Sequence, residues 1–204
     1  TTVHVRVASR APVRVPLRLW RVEAFHAADR VSALLDGLFY GAMVLAAVFQ
    51  LMLSFAVRDR THPIFVGAIA MTCVTLLGFD GLGTYHLWPG LAPWATDITT
   101  FAAVATVVGL LAFTSQFLAL RERTPAAHRV LVAAGVLMIA CGVFVPRTAP
   151  YMMVAGAALV ATLIAGIHAW MAGYPPARRF VAAWALLSVG FVWGQFVLGG
   201  YPSP

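Results

Sequence analysis

Leu38 to Val57 reads LFYGAMVLAAVFQLMLSFAV, twenty residues without a formal charge, closed at once by Arg58-Asp59-Arg60. A helix needs about 20 mostly apolar residues to cross roughly 30 Å of hydrocarbon, so this run is long enough to span a bilayer. Five further runs follow it, approximately Ile64 to Leu82, Ile98 to Leu118, Val130 to Val145, Tyr151 to Met171 and Phe180 to Leu198. Their starts carry helix punctuation. Thr61 to Pro63, Thr124-Pro125 and Pro175-Pro176 place a capping residue or a proline in the first turn, where a missing N–H costs little. These signals favour helices over barrel strands. The expected fold is an all-α polytopic membrane helical bundle over residues 37–198, with six visible transmembrane helices.

Composition agrees with that reading. The hydrophobic fraction is 61% and the charged fraction 10%, and the mean hydropathy is +0.87. A water-soluble chain of this size would have to expose most of such apolar surface, so the lipid bilayer is the first expected partner. The 14 basic residues are all arginine and sit in short segments between apolar runs. They read as topology signals, and no nucleic-acid partner is expected. Cys73 and Cys141 lie inside apolar runs with no cysteine or histidine at metal-ligand spacing, which indicates neither a disulfide nor a metal site.

The loops alternate in charge. Arg58 and Arg60 follow the first run, Arg121, Arg123 and Arg129 the third, and Arg178 and Arg179 the fifth, whereas the other connections carry Asp80 and Asp97 and then only Arg147. Positive charge is retained on the cytoplasmic side, so the arginine loops are expected inside and both ends of the bundle outside. The segment before the first run holds six arginines of its own, and its pattern explains the exception. Val3, Val5 and Val7 alternate with polar positions, Ser9 to Pro12 is a turn, and Val13, Val15, Leu17 and Leu19 alternate again. Two such strands cannot bury a core. Residues 1–36 are therefore expected to be the closing strands and connector of an extracytoplasmic β-sandwich lying mostly upstream, exempt from the charge rule as part of a translocated domain. Residues 199–204, with Gly199-Gly200 and Pro202, read as an exterior loop leading toward a seventh helix.

Several motifs in this order resemble the bacterial seven-transmembrane receptors with diverse intracellular signalling modules, the DISM family. Val5-Arg6-Val7, Pro16-Leu17-Arg18-Leu19-Trp20 and Phe25 are similar to the end of its extracellular jelly-roll domain. Gly37-Leu38-Phe39-Tyr40-Gly41 and Arg58-Asp59 are similar to the two ends of its first helix. Gly81, Gly83, Tyr85, Leu87, Trp88 and Pro89 resemble its exterior loop, and Pro176-Ala177-Arg178, Phe180 and Trp184 the start of its sixth helix. Phe113-Thr114-Ser115-Gln116-Phe117-Leu118 departs from the family, which often carries a basic residue between these aromatics. The resemblance implies a sensor in the bacterial inner membrane. It would relay a small-molecule ligand of the ectodomain to a cytoplasmic kinase, cyclase or phosphatase module outside this chain.

The candidate residues follow. Asp80, Gly83, Tyr85 and Trp88 are the expected ligand or ectodomain relay, set against the plainer role of aromatic side chains as interfacial anchors. Arg58, Asp59 and Arg178 are expected at cytoplasmic loop contacts, with Asp59 alternatively starting the next helix. Gly37 with Gly41 and Gly190 with Gly194 have the spacing that lets helix backbones approach, within one bundle or in a homodimer. His168 lies within a span without a facing partner for haem, and His86 lacks companions for a metal, so no cofactor is expected. The span interiors hold almost no ionisable residue, and Ser54, Ser115 and Ser188 show no evident base, which argues against an ion-coupled pump and against catalysis in the membrane. A transporter or channel for a neutral solute, which needs no buried charge, is the alternative.

Overall fold

The computed structural model describes residues 21–57, 59, 61–144 and 150–199, with side chains in the last stretch from 153 to 190. The expected β arm lies outside the described residues, as do Arg58, Arg60 and Arg147. The chain divides into two units, Thr1–Ala42 and Met43–Pro204, and each is described by itself.

Among the described residues there are six long helices, α1 (Val22–Val57), α2 (Thr61–Phe79), α3 (Ala95–Phe117), α5 (Pro125–Phe144), α6 (Pro150–Met171) and α7 (Pro175–Gly199), with a short turn, α4 (Leu120–Arg123), between α3 and α5. Among the described residues, α1, α2, α5, the stretch Pro89–Phe117 and the stretch Met153–Met171 are long and apolar enough to cross a membrane. The 25-residue α7 occupies the position of the sixth run. Starts fall where the punctuation placed them, at Thr61, Pro125 and Pro175. The first start differs: α1 begins at Val22, so residues expected as a connector are helical, and Phe25, expected beside closing strands, lies in the first turn. Within this stretch the Arg30 side chain donates to the His26 carbonyl one turn back, at 3.2 Å. At the far end α7 runs through Gly199, which was expected to open a loop.

Two helix ends depend on glycine. α2 stops three residues before the apolar run does, because Gly81 takes a left-handed conformation, φ 74°, just past the last turn. Gly173, φ 82°, ends α6 in the same way. Such a residue lets the chain leave the helix while satisfying a terminal carbonyl, and the Gly173 N–H donates to the Trp170 carbonyl at 2.9 Å.

Within the second unit α2 and α3 make the most extensive helix pairing, α5 packs on α3 and α6, and α6 packs on α7. The core gathers Leu111, Leu118, Leu120, Leu131, Phe180 and Trp184 with the small residues Ala158, Ala165, Ala169 and Ala177. Large apolar side chains such as Val132, Ile139, Ile164 and Leu186 are exposed instead. This inside-out distribution is what lipid allows, since hydrocarbon outside removes the drive to bury apolar area, and helices associate through close packing of small residues. At the α2–α3 crossing a Cβ on Gly109 would stand 3.1 Å from the Ala68 Cβ, tighter than ordinary contact. The buried polar side chains among the described residues are all threonines: Thr75, Thr114 and Thr162.

Candidate functional site

At the end of the bundle where α2 hands over to α3, the chain makes a five-residue π turn, Gly83–Leu87, and then a 3-10 turn, Pro89–Trp94. Pro89 opens the second turn, and the Trp88 backbone N–H reaches back to the Gly83 carbonyl at 2.9 Å while its own carbonyl accepts from Leu91 at 2.9 Å. The Trp88 indole covers Gly83 so closely that any Cβ there would collide with the ring. Only glycine fits beneath it. Of the four expected relay residues, the fold thus brings Gly83 and Trp88 together as a clamp. Asp80 is exposed just past α2, and Tyr85 is 79% exposed with its ring edge-on to the neighbouring His86. Leu87, Leu91 and Trp94 of the same two turns are exposed as well.

The opposite end is built from the start of α2, the α3–α5 hairpin and the α6–α7 hairpin. Asp59 Oδ1 accepts from the Thr61 N–H at 3.1 Å, so the carboxylate caps α2, the plainer of its two expected roles. Arg178 is exposed on the first turn of α7. The Arg123 guanidinium sits 4.5 Å over the Tyr174 ring, and the Tyr174 hydroxyl donates to the Phe117 carbonyl at 3.4 Å, which ties the two hairpins together.

Behind these contacts runs an aromatic ladder. Phe65 of α2 lies 4.5 Å from Phe113 of α3, and Phe113 and Phe117 stack at 5.4 Å, one turn apart. Phe117 meets Phe180 of α7 at 5.9 Å, and Phe180 meets Trp184 at 4.4 Å. Phe180 and Trp184 are buried, and the Trp184 indole N–H donates to Thr162 Oγ1 at 2.6 Å. Phe180 and Trp184, two of the residues that resembled the start of a sixth helix, are therefore the α7 part of a five-ring stack joining α2, α3 and α7.

One expectation is corrected. Ser115 has a partner, His128, whose Nδ1 lies 2.7 Å from its Oγ. Ser115 stands in the last turn of α3 and His128 in the first turn of α5, and an antiparallel hairpin with a short connection brings such positions face to face. The proximity was readable from the hairpin, because Thr124-Pro125 restarts the helix only a few residues after Leu118. His62 Nδ1 likewise lies 2.9 Å from Gln50 Oε1. Among the described residues no three His, Cys, Asp or Glu side chains gather to hold a metal ion. Gly37 and Gly41 stand one turn apart on α1, and a Cβ on Gly190 meets no atom within 4 Å. Gly194 is placed on α7.

These features define a polytopic helical membrane module with an aromatic clamp at one end and an arginine-bearing aromatic junction at the other. Residues 32–202 match the model of the family described as 7TM diverse intracellular signalling, and the chain belongs to that family. Comparison with curated proteins and with solved structures finds no match. Membership makes the chain the membrane module of a multi-pass signalling receptor, a module that is not itself catalytic.

Proposed function

We propose that this bundle carries the state of an extracytoplasmic β domain, which binds a small-molecule ligand, to a cytoplasmic output module. The observation that carries the reading is the unbroken aromatic ladder from Phe65 to Trp184. It links the α2–α3 pair, which bears the Gly83–Trp88 clamp, to α7, whose first two turns bear Arg178 and Arg179. Stacked rings hold a small set of discrete packings, so movement of the clamp would shift α2 and α3 and re-register the ladder against α7. In this reading the clamp faces the bacterial periplasm, the N-terminus is extracytoplasmic, and the arginine end meets the output module. Asp80 and Tyr85 offer contacts to the ectodomain, Asp59 and Arg178 to the module within, and the glycine pairs offer a homodimer face.

The test is the signalling response of the intact gene product, read on its own output in cells. Gly83→Leu removes the seat of Trp88, and Phe117→Ala removes the central ring. Each variant should reach the membrane in normal amount and lose about tenfold in response, within the 1–3 kcal/mol typical of coupling between sites. Wild-type responses from both variants would overturn the relay.

A further inference from the structure

Among the described residues three backbone positions are left-handed, and two of them are the glycines that end α2 and α6. The third is Ala119, φ 48° and ψ 41°, between α3 and α4. There an L-residue holds its Cβ too close to the following carbonyl oxygen, a cost that glycine escapes. Yet the chain on both sides is helical. The Ala119 carbonyl accepts from the Arg123 N–H at 3.1 Å to close α4, and Leu118, φ −88° and ψ 0°, stands near helical values at the end of α3. A return of Ala119 to right-handed angles, with a small adjustment at Leu118, would join α3 and α4 into one helix.

The neighbouring contacts hold the break. Leu118 and Leu120, on either side of it, are fully buried. Tyr174, between α6 and α7, grips both sides: its hydroxyl donates to the Phe117 carbonyl at 3.4 Å, before the break, and its ring lies 4.5 Å beneath the Arg123 guanidinium, after it. In a continuous helix the Phe117 carbonyl would be taken by the Arg121 N–H, and positions 117 and 123 would lie on different faces. One tyrosine could not keep both contacts.

We infer that Ala119 is the hinge of the relay and Tyr174 its latch, the bundle switching between this broken helix and one in which α3 runs on through α4. The inference rests on the relay reading above and supplies its two-state element. Phe117, a ring of the ladder, precedes Ala119 by two residues, so a change of register in the ladder acts directly on the hinge. Glycine at 119 would remove the strain and fix the broken form. Alanine keeps the two forms close enough in free energy for a signal to choose between them.

The test reads the ligand-independent output of the intact gene product in cells, normalised to its amount in the membrane. Ala119→Gly favours the broken form, because glycine relieves the left-handed residue and weakens a continuous helix. Tyr174→Leu removes both latch contacts and favours the continuous form. The two variants should shift output in opposite directions, Ala119→Gly by roughly tenfold, the ratio set by the cost of a left-handed alanine. The double variant should return toward wild type. Substitutions that merely damage the fold would act in the same direction and add, and that result would overturn the hinge. Unchanged output from both variants would overturn it too; the relay would still stand if Gly83→Leu and Phe117→Ala lose their response, and would fall with the hinge if they keep it.

Discussion

The indole N–H of Trp184 is held by a single threonine hydroxyl, and that hydroxyl in turn donates to the Leu159 carbonyl at 2.7 Å. Thr162→Val keeps the shape and leaves the indole proton without an acceptor. The variant should lower unfolding stability by about 1 kcal/mol, near the upper part of the range for polar contacts between membrane helices, whereas Thr162→Ser should retain it. Denaturant unfolding in detergent micelles checks this. Single residues were also where the sequence was hardest to read. The G-x-x-x-G spacing singled out Gly37, Gly41, Gly190 and Gly194, yet the glycines tightly met by neighbours include Gly109 against Ala68 and Gly166 against Phe180. Spacing along one helix shows that a backbone can be approached; the partner that approaches it belongs to another part of the chain. Ser115 and His128 make the same point, since each looks ordinary until the hairpin places them together.

At the scale of elements, starts were legible because their chemistry is local. Threonine or proline at Thr61, Pro125 and Pro175 acts on the first turn alone, and the helices begin there. Asp59→Ala removes the carboxylate that accepts from the Thr61 N–H, and the first turn of α2 should lose about 0.5–2 kcal/mol, with Asp59→Asn nearly neutral. Faster hydrogen exchange confined to the first amides of α2 is the expected readout. The start of α1 was not legible from hydropathy. Glu23, Asp29, Arg30 and Asp36 dilute its first four turns, so a search for apolar runs sees only the second half of a 36-residue helix. The alanines and leucines between those charges are good helix formers, and propensity rather than hydropathy held that signal. The end of α2 shows the converse: Leu82 is apolar and extends the run, but Gly81 had already ended the helix.

For the whole molecule, the class was written in composition, and the family in the order of motifs whose membership the match over residues 32–202 shows. The aromatic ladder from Phe65 to Trp184 was beyond reach of either, because it depends on which helices are neighbours. A relay across the membrane further requires that the two polar ends face opposite compartments, with the Gly83–Trp88 clamp outside and Arg123 with its tyrosine inside. The measurement that tests this most directly is cysteine labelling in intact cells of the whole receptor, in a background with Cys73 and Cys141 replaced by alanine. A membrane-impermeant maleimide should label Tyr85→Cys before permeabilisation and Arg123→Cys only after it. Labelling of Arg123→Cys in intact cells, with Tyr85→Cys protected, would contradict the account.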